Sequence, residues 1–342
     1  MSSDAAFAEV LGQLIDRRDL PASSIEAVFT RLMNGELTPA QMGAFLVLLK
    51  SKGESADEVA GAARVMRSKS IKVSVPGDVV DTCGTGGDLR GTFNISTAAA
   101  IVAAGAGAAV VKHGNRSASG RSGSADVLEA LGARLEVSAA AEADVLADAG
   151  LCFCFARAFH PAMAHAAAVR RELGIPTIFN LIGPLTNPAG AKRQLVGVYA
   201  PHLCDLIASA LIQLGATRAW VVHGRDGLDE LSTMSESTVC ELLNGKIRRF
   251  DVDPTKLGLP RARVEDLQAA NPAESAAIIR DVLGGRKFPP RDIVALNAGA
   301  ALVVAGLAAD LPAGLAQAAD SIDSGKAAQA LARLVQKTQA AR

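Results

Sequence analysis

The apolar and polar positions of the first seventy residues read as helices alone. Ala22-Ser-Ser-Ile25 opens one helix with a Ser cap, and Asn34-Gly35 ends it. Thr38-Pro39-Ala40-Gln41 opens the next, with Thr as cap, Pro at the first helical position and Gln three residues past the cap. Gly53 closes that helix, and Ser55-Ala-Asp-Glu58 starts a third.

The pattern changes at Pro76-Gly77. Short apolar runs now alternate with helical stretches. Strands are expected at Val79–Val80, Ala109–Val111, Phe153–Phe155, Leu195–Tyr199, Ala219–Val222 and Val239–Leu242. Helices are expected at Ala98–Gly105, Ser124–Leu131 and Leu203–Leu214. Residues 160–188 read as helical and then loop-like, and carry Arg170-Arg171 and the turn Asn180-Leu-Ile-Gly-Pro-Leu-Thr-Asn-Pro188. Such alternation predicts an α/β fold with a mostly parallel central sheet flanked by helices, beside a small all-helical domain. In sheets of this kind ligands bind beyond the carboxyl ends of the strands.

Composition narrows the function classes. A chain of 342 residues fits two domains. Thirty-five basic residues balance thirty-five acidic ones, which removes the electrostatic pull toward nucleic acid or an anionic membrane. Aromatics at 4% leave little for a base-stacking platform. Met1-Ser-Ser-Asp4 is not a secretion signal, and the apolar run Ala98–Val111 is too short to span a bilayer. Cys83, Cys152, Cys154, Cys204 and Cys240 read as reduced thiols of a cytoplasmic protein, with Cys152 and Cys154 on one face of a buried strand.

The chemistry-bearing stretches fall on the expected ligand edge. Gly84-Thr-Gly-Gly-Asp88 has glycines where a backbone must approach a ligand or take positive φ, yet it is neither a P-loop nor a dinucleotide fingerprint. A plain turn is the competing reading. Asn94-Ile-Ser-Thr97 leads into a helix, which turns its backbone N–H groups outward. Lys112-His-Gly-Asn-Arg116 is either a solvated basic loop or a phosphate grip, with Lys112 placed just past a strand as a point charge. His113 reads equally as a satisfied core histidine. Ser117, Ser119, Gly120, Ser122, Gly123 and Ser124 resemble a second anion nest. Asp229-Glu230, after the strand Trp220-Val-Val-His223, is an acidic turn or a pair of ligands for a cation that phosphates bring with them. No zinc spacing and no nucleophile elbow is present in the sequence.

Taken together, six stretches resemble the anthranilate phosphoribosyltransferase family, in that family's order: Gly84–Asp88, Asn94–Thr97, Lys112–Arg116, Ser122–Gly132, Phe179–Pro188 and His223–Glu230. The likeness runs through nearly the whole chain, including Leu296-Asn297-Ala298. It implies a helical domain over 1–72, joined by mid-chain helices around 160–185, and an α/β domain over the rest of 73–342. It implies an active site at their hinge and a homodimer formed through the helical domains. The implied reaction moves phosphoribosyl from phosphoribosyl pyrophosphate to anthranilate, with two Mg²⁺ ions. By the same resemblance, Gly84, Gly87, Asp88, Thr92, Asn94, Ile95, Ser96, Thr97, Lys112, His113, Gly114, Asn115, Arg116, Ser117, Ala118, Ser119, Gly120 and Ser124 hold the phosphoribosyl donor. Gly84, Asn115 and Arg170 meet anthranilate, and Ser96, Asp229 and Glu230 are linked to the metal. No general base is assigned. The chain departs from the family at Arg157, where many relatives have Pro, and at Leu89-Arg90 after the first glycine loop. A pyrimidine nucleoside phosphorylase shares the architecture and is the rival enzyme reading; a nucleic-acid-binding relative would need a basic groove.

Overall fold

The computed structural model describes residues 3–117 and 121–341; Ala118, Ser119 and Gly120 lie outside the described residues. Four helices lead: α1 (Ser3–Ile15), α2 (Ala22–Met33), α3 (Pro39–Lys52) and α4 (Ala56–Lys69). Thr38 and Ser55 cap α3 and α4 as expected, each in a reciprocal pair with the Gln or Glu three residues on. The Ser cap expected for α2 is absent: Pro21 occupies that position and no side chain caps the helix. Proline's fixed φ presets the entry to the first turn instead.

Strands and helices then alternate through β1 (Val80–Gly84), α5 (Ile95–Gly105), β2 (Val110–Gly114), α6 (Ser124–Ala130), α7 (Ala139–Ala149) and β3 (Leu151–Phe155). A helical excursion follows, with α8 (Ala156–Phe159), α9 (Ala164–Leu173) and α10 (Ile178–Ile182). The chain returns through β4 (Arg193–Gly197), α11 (Leu203–Gln213), β5 (Arg218–Gly224), β6 (Ser237–Leu243) and β7 (Lys246–Val252). It closes with α12 (Pro272–Leu283), α13 (Pro289–Ala305), α14 (Leu311–Asp323) and α15 (Lys326–Ala340).

The strands form one sheet in the order β3-β2-β1-β4-β5-β6-β7. Pairings from β3 through β5 are parallel, and β5-β6-β7 are antiparallel. Val239–Leu242 is thus a strand as expected, but it runs against β5. The β7 strand was not foreseen. Its residues are mostly exposed and Lys246-Ile-Arg-Arg-Phe lacks a clear apolar face. The local signal was the turn: Asn244 and Gly245 both take positive φ, as a two-residue hairpin loop requires.

Two apolar cores flank the sheet. On one side α5, α7 and α12 to α15 pack together, with α13 almost wholly buried. There α13 crosses α14 so closely that a Cβ on Gly299 would stand 2.7 Å from the Leu315 nitrogen. The other core joins α1 to α4 with α9, α10 and α11. Cys152 and Cys154 are fully buried in β3. Order along the sheet reverses at β1 and β4: the chain moves outward from β1 to β2 and β3, then resumes on the other side with β4. That switch point opens a crevice at the carboxyl edge. The helical excursion between β3 and β4 lies over it, because α9 and α10 pack on α2, α3 and α4 rather than on the sheet.

Candidate active site

A cavity of about 1050 Å³ occupies the crevice. Its floor is the sheet edge and the loops that leave it. Its far wall is the excursion from Ala156 to Pro184 together with Met66 of α4.

The first glycine segment begins inside β1. Asp81, Thr82, Cys83 and Gly84 are strand residues, and the loop proper starts at Thr85. Gly84 pairs in register with Gly197 of β4. A Cβ on Gly84 would lie 2.6 Å from Asp229 Oδ2, and one on Gly197 would lie 1.5 Å from the Asp229 carbonyl oxygen. The acidic turn is therefore seated on two glycines side by side at the sheet edge. Gly86 N–H donates to Asp229 Oδ2 at 2.8 Å and closes that seat. Gly197 was missed in the sequence; a glycine inside the strand pattern Leu195-Val-Gly-Val was the available sign of close backbone approach.

Asn297, fully buried on α13, holds the turn from behind. Its Oδ1 accepts Leu231 N–H at 3.0 Å, and its Nδ2 donates to the Leu231 and Ile293 carbonyls at 2.9 Å each. Leu231 follows Glu230 directly, so one buried amide fixes where the carboxylates stand. On the open side, the Arg90 guanidinium packs over Gly227 of the same turn, and Leu89 is exposed with φ +55°.

Three carboxylates converge here. Burial, then the Asp88 charge, pushes Asp229 up to about 7. Burial, then Asp229, drives Glu230 well above the carboxylate range, although the Ser96 backbone partly offsets this. Burial raises Asp88 as well. Among the described residues no three His, Cys, Asp or Glu side chains close into a complete metal cage. That fits Mg²⁺, which takes one or two protein carboxylates and fills its shell with water and substrate phosphate. Half-buried carboxylates that repel one another are relieved by a divalent cation, so the donor set suits the ion.

The side expected to hold phosphate is more built than a plain turn. Helix α5 starts at Ile95, three residues before the expected Ala98, which puts Ser96 and Thr97 in its first turn. Their N–H groups belong to the positive end of the helix. The Asn94 side chain ties loops together: Oδ1 accepts from Ser122 Oγ at 2.7 Å and Ser275 Oγ at 2.8 Å, while Nδ2 donates to the Ser122 carbonyl at 3.1 Å. The Thr97 hydroxyl is buried without a partner and does not line the cavity.

Lys112 is not past the strand end, as expected, but inside β2 and buried. Its Nζ donates to the Thr82 carbonyl and, at 3.2 Å, to Ser96 Oγ. Burial lowers its pKa while Asp81 and Glu230 pull it back up. Asp81 itself is raised to about 6 by burial, despite Lys112 and an Asn187 Nδ2 bond of 2.8 Å. Asn187 also donates to the Val111 carbonyl, so the 180–188 turn is pinned to the sheet under the cavity.

His113 falls between its two readings. Its Nδ1 lies 3.1 Å from the Gly183 carbonyl, its Nε2 is buried without a partner, and it lines the cavity. Burial and the nearby His160 ring lower its pKa to about 3, so it is neutral. The second nest is partly filled by the protein itself, since the Asp126 carboxylate accepts from Ser117 N and Gly123 N. Arg116 reaches the cavity wall, but its guanidinium is engaged by Asp126 and Glu129. Gly87, Asp88, Thr92, Gly114, Asn115 and Ser124 all line the cavity. Ser124 stands where a side chain at Gly114 would fall, its Oγ 2.1 Å from a Cβ built there.

Arg170 belongs to the opposite wall. Its guanidinium lies 4.9 Å over the Phe179 ring, and burial lowers its pKa. It forms no ion pair with Glu172 or any other acid among the described residues. One cavity therefore has a hydroxyl-, amide- and carboxylate-rich end and a guanidinium-and-aromatic end.

Comparison with known proteins gives this arrangement a family. Residues 8–70 match the family description "Glycosyl transferase family, helical bundle domain", and residues 76–328 match "Glycosyl transferase family, a/b domain". Over 327 residues the chain is 52% identical to an anthranilate phosphoribosyltransferase of Syntrophobacter fumaroxidans, covering 95% of this chain and 97% of that one. The chain belongs to the anthranilate phosphoribosyltransferase family. The crystal structure of the Thermus thermophilus enzyme superposes with a TM-score of 0.91 at 44% identity, covering 96% of this chain and 99% of that one. A Saccharomyces cerevisiae enzyme in complex with phosphoribosyl pyrophosphate and Mg superposes equally well, at 0.91 and 27% identity over 99% of both chains. The small helical bundle and larger sheet-centred domain expected from the sequence are those of this family.

Proposed function

We infer that this chain transfers the phosphoribosyl group of 5-phosphoribosyl 1-pyrophosphate to the amine of anthranilate, releasing pyrophosphate, in tryptophan biosynthesis. Magnesium takes part, as in the yeast relative's complex. The observation that carries the reading is the polarity of the large cavity at the sheet edge: seated carboxylates and a helix N-terminus at one end, Arg170 over Phe179 at the other.

The residues divide the work accordingly. Gly84, Gly87, Asp88, Thr92, Asn94, Ile95, Ser96, Lys112 and residues 113–117 with Ser124 form the donor end, Thr97 supports it from the first turn of α5, and Ala118, Ser119 and Gly120 are assigned to it by the family resemblance alone. Asp229, Glu230 and Ser96 would hold Mg²⁺, two ions per site, which when bound neutralises the growing charge on pyrophosphate. Backbone N–H groups at the start of α5 face that same charge. Arg170 grips the anthranilate carboxylate, with Gly84 and Asn115 bordering the acceptor. The aromatic amine is already neutral at pH 7 and attacks ribose C1 with its lone pair, with inversion; its proton leaves afterwards. No general base is required, and His113 is held neutral. Positioning two substrates in one cavity can supply roughly 7–11 kcal/mol.

The reading extends to the whole molecule. Residues 1–72 with the helices around 160–185 form one unit, and the rest of 73–342 the other. The chain works as a homodimer joined through its helical units. Five free, buried cysteines support a cytoplasmic location. Among the described residues, no helix is long and apolar enough to cross a membrane. Neither membrane nor nucleic acid is a partner on this reading, given the zero net charge.

Mass spectrometry of two incubations tests the reaction. With phosphoribosyl pyrophosphate, Mg²⁺ and anthranilate, N-(5-phosphoribosyl)anthranilate is expected. With phosphate and a pyrimidine nucleoside, no free base is expected; free base would instead establish the phosphorylase reading.

A further inference from the structure

The acceptor wall carries more positive charge than one carboxylate needs. Cavity-lining residues from Ala156 to Arg171 include Arg157, Arg170 and Arg171 and no acid. Positions 164, 167, 170 and 171 share one face of α9, so the wall is continuous from Arg157 to Arg170. The cavity's acids, Asp88, Asp229 and Glu230, stand on the turns after β1 and β5. Arg157 follows β3, the far edge of the parallel run, with β2 between it and β1.

The Arg157 side chain is exposed, and among the described residues it makes no hydrogen bond and no ion pair. Arg116, on the same cavity, shows the contrast, being held by two acids. Arg170 differs too, since it is half-buried and laid over an aromatic ring. Arg157 is thus an exposed cation at the rim of a cavity whose adjoining wall is already positive. Such a rim concentrates anions and raises their capture rate.

We propose that Arg157 is a specificity-determining residue of the acceptor end: a rim cation that recruits anionic aromatic amines and accommodates an acceptor bearing a second acidic group. The proposal rests on the reading of the Arg170 wall as the acceptor end. Arg170 takes the inner carboxylate. Arg157 meets the same carboxylate during entry, or a second one that stays at the rim.

Steady-state kinetics at low salt test this with two acceptors, anthranilate and 2-aminoterephthalate, on the wild type, Arg157→Ala and Arg157→Lys. Arg157→Ala is expected to raise the anthranilate KM about 2- to 5-fold, the size typical of one exposed charge. Its kcat and its KM for phosphoribosyl pyrophosphate should not change. Relative kcat/KM for 2-aminoterephthalate over anthranilate should fall as well, Lys should restore most of both effects, and 0.5 M salt should erase them. An unchanged acceptor KM and acceptor ratio in Arg157→Ala would overturn the proposal. So would a parallel rise in the donor KM, which would mark a disturbed loop. A wild type that fails to use anthranilate at all would instead overturn the acceptor reading beneath it.

Discussion

Lys112 shows how much a single buried charge does here. It sits inside a strand, bonded to the Thr82 carbonyl and Ser96 Oγ, and stands between Asp81 and the acidic turn. Lys112→Ala should weaken phosphoribosyl pyrophosphate binding by about 1.5–3 kcal/mol, the range of a charge-assisted hydrogen bond, and weaken anthranilate binding far less. Calorimetry with each substrate separates the two; equal losses would contradict its place at the donor end. Arg170 predicts the reverse. Arg170→Ala should raise the anthranilate KM and abolish most of the preference for anthranilate over its uncharged amide, because a buried carboxylate needs a partner. A preference left intact would mean that another residue reads the carboxylate. Much of this was legible as sequence: glycines, hydroxyls, Lys and paired acids fell in short runs at strand ends. What was not legible was orientation. Arg116 reads as a phosphate grip in sequence, yet Asp126 and Glu129, ten and thirteen residues on, claim its guanidinium.

The elements explain why the acidic pair stands where it does. The turn after β5 is seated on Gly84 and Gly197 and tied from behind by Asn297 on α13. Gly197→Ala should therefore lose activity while keeping the sheet, since a Cβ there would meet the Asp229 carbonyl. Asn297→Ala leaves the Leu231 N–H and carbonyl unpaired in the core and should cost about 1–3 kcal/mol of stability. Mg²⁺ activation should also shift to higher concentration in that variant, measured beside its Tm. A Tm loss with unchanged Mg²⁺ dependence would show that the amide only supports the core. The elements were readable to the extent that their signals were local. The caps Thr38 and Ser55 were correct because both partners lie three residues apart. Strand β7 and the seat at Gly197 escaped because one is an exposed polar strand and the other depends on a contact more than thirty residues away in sequence.

At the scale of the whole molecule, buried ionisable groups set the pH range of the fold. Glu142 on α7 is raised to about 8 by burial, only partly offset by a bond from Phe153 N–H. Its folded pKa lies above the unfolded value, so its contribution to stability is complete below pH 4.5 and is lost as pH rises through 8. His113 and His160 are depressed to about 3 and 4 by burial, so they contribute above pH 6.5 and fail as pH falls toward those values. Stability should peak between these flanks. Glu142→Gln should keep its Tm from pH 6 to pH 9 better than the wild type, by at least about 2 °C; parallel curves would remove Glu142 from the account.

The switch-point geometry makes one cavity with two unlike ends. The most direct test follows anthranilate fluorescence while Mg²⁺ is titrated at saturating phosphoribosyl pyrophosphate, in the wild type and in Glu230→Gln. Fluorescence should disappear in step with pyrophosphate release, only when Mg²⁺ is present. Glu230→Gln, folded but lacking one carboxylate of the seated pair, should be slow and need far more Mg²⁺. Anthranilate left unconsumed by the wild type, or a Glu230→Gln variant that turns over normally at limiting Mg²⁺, would contradict the assignment of the cavity.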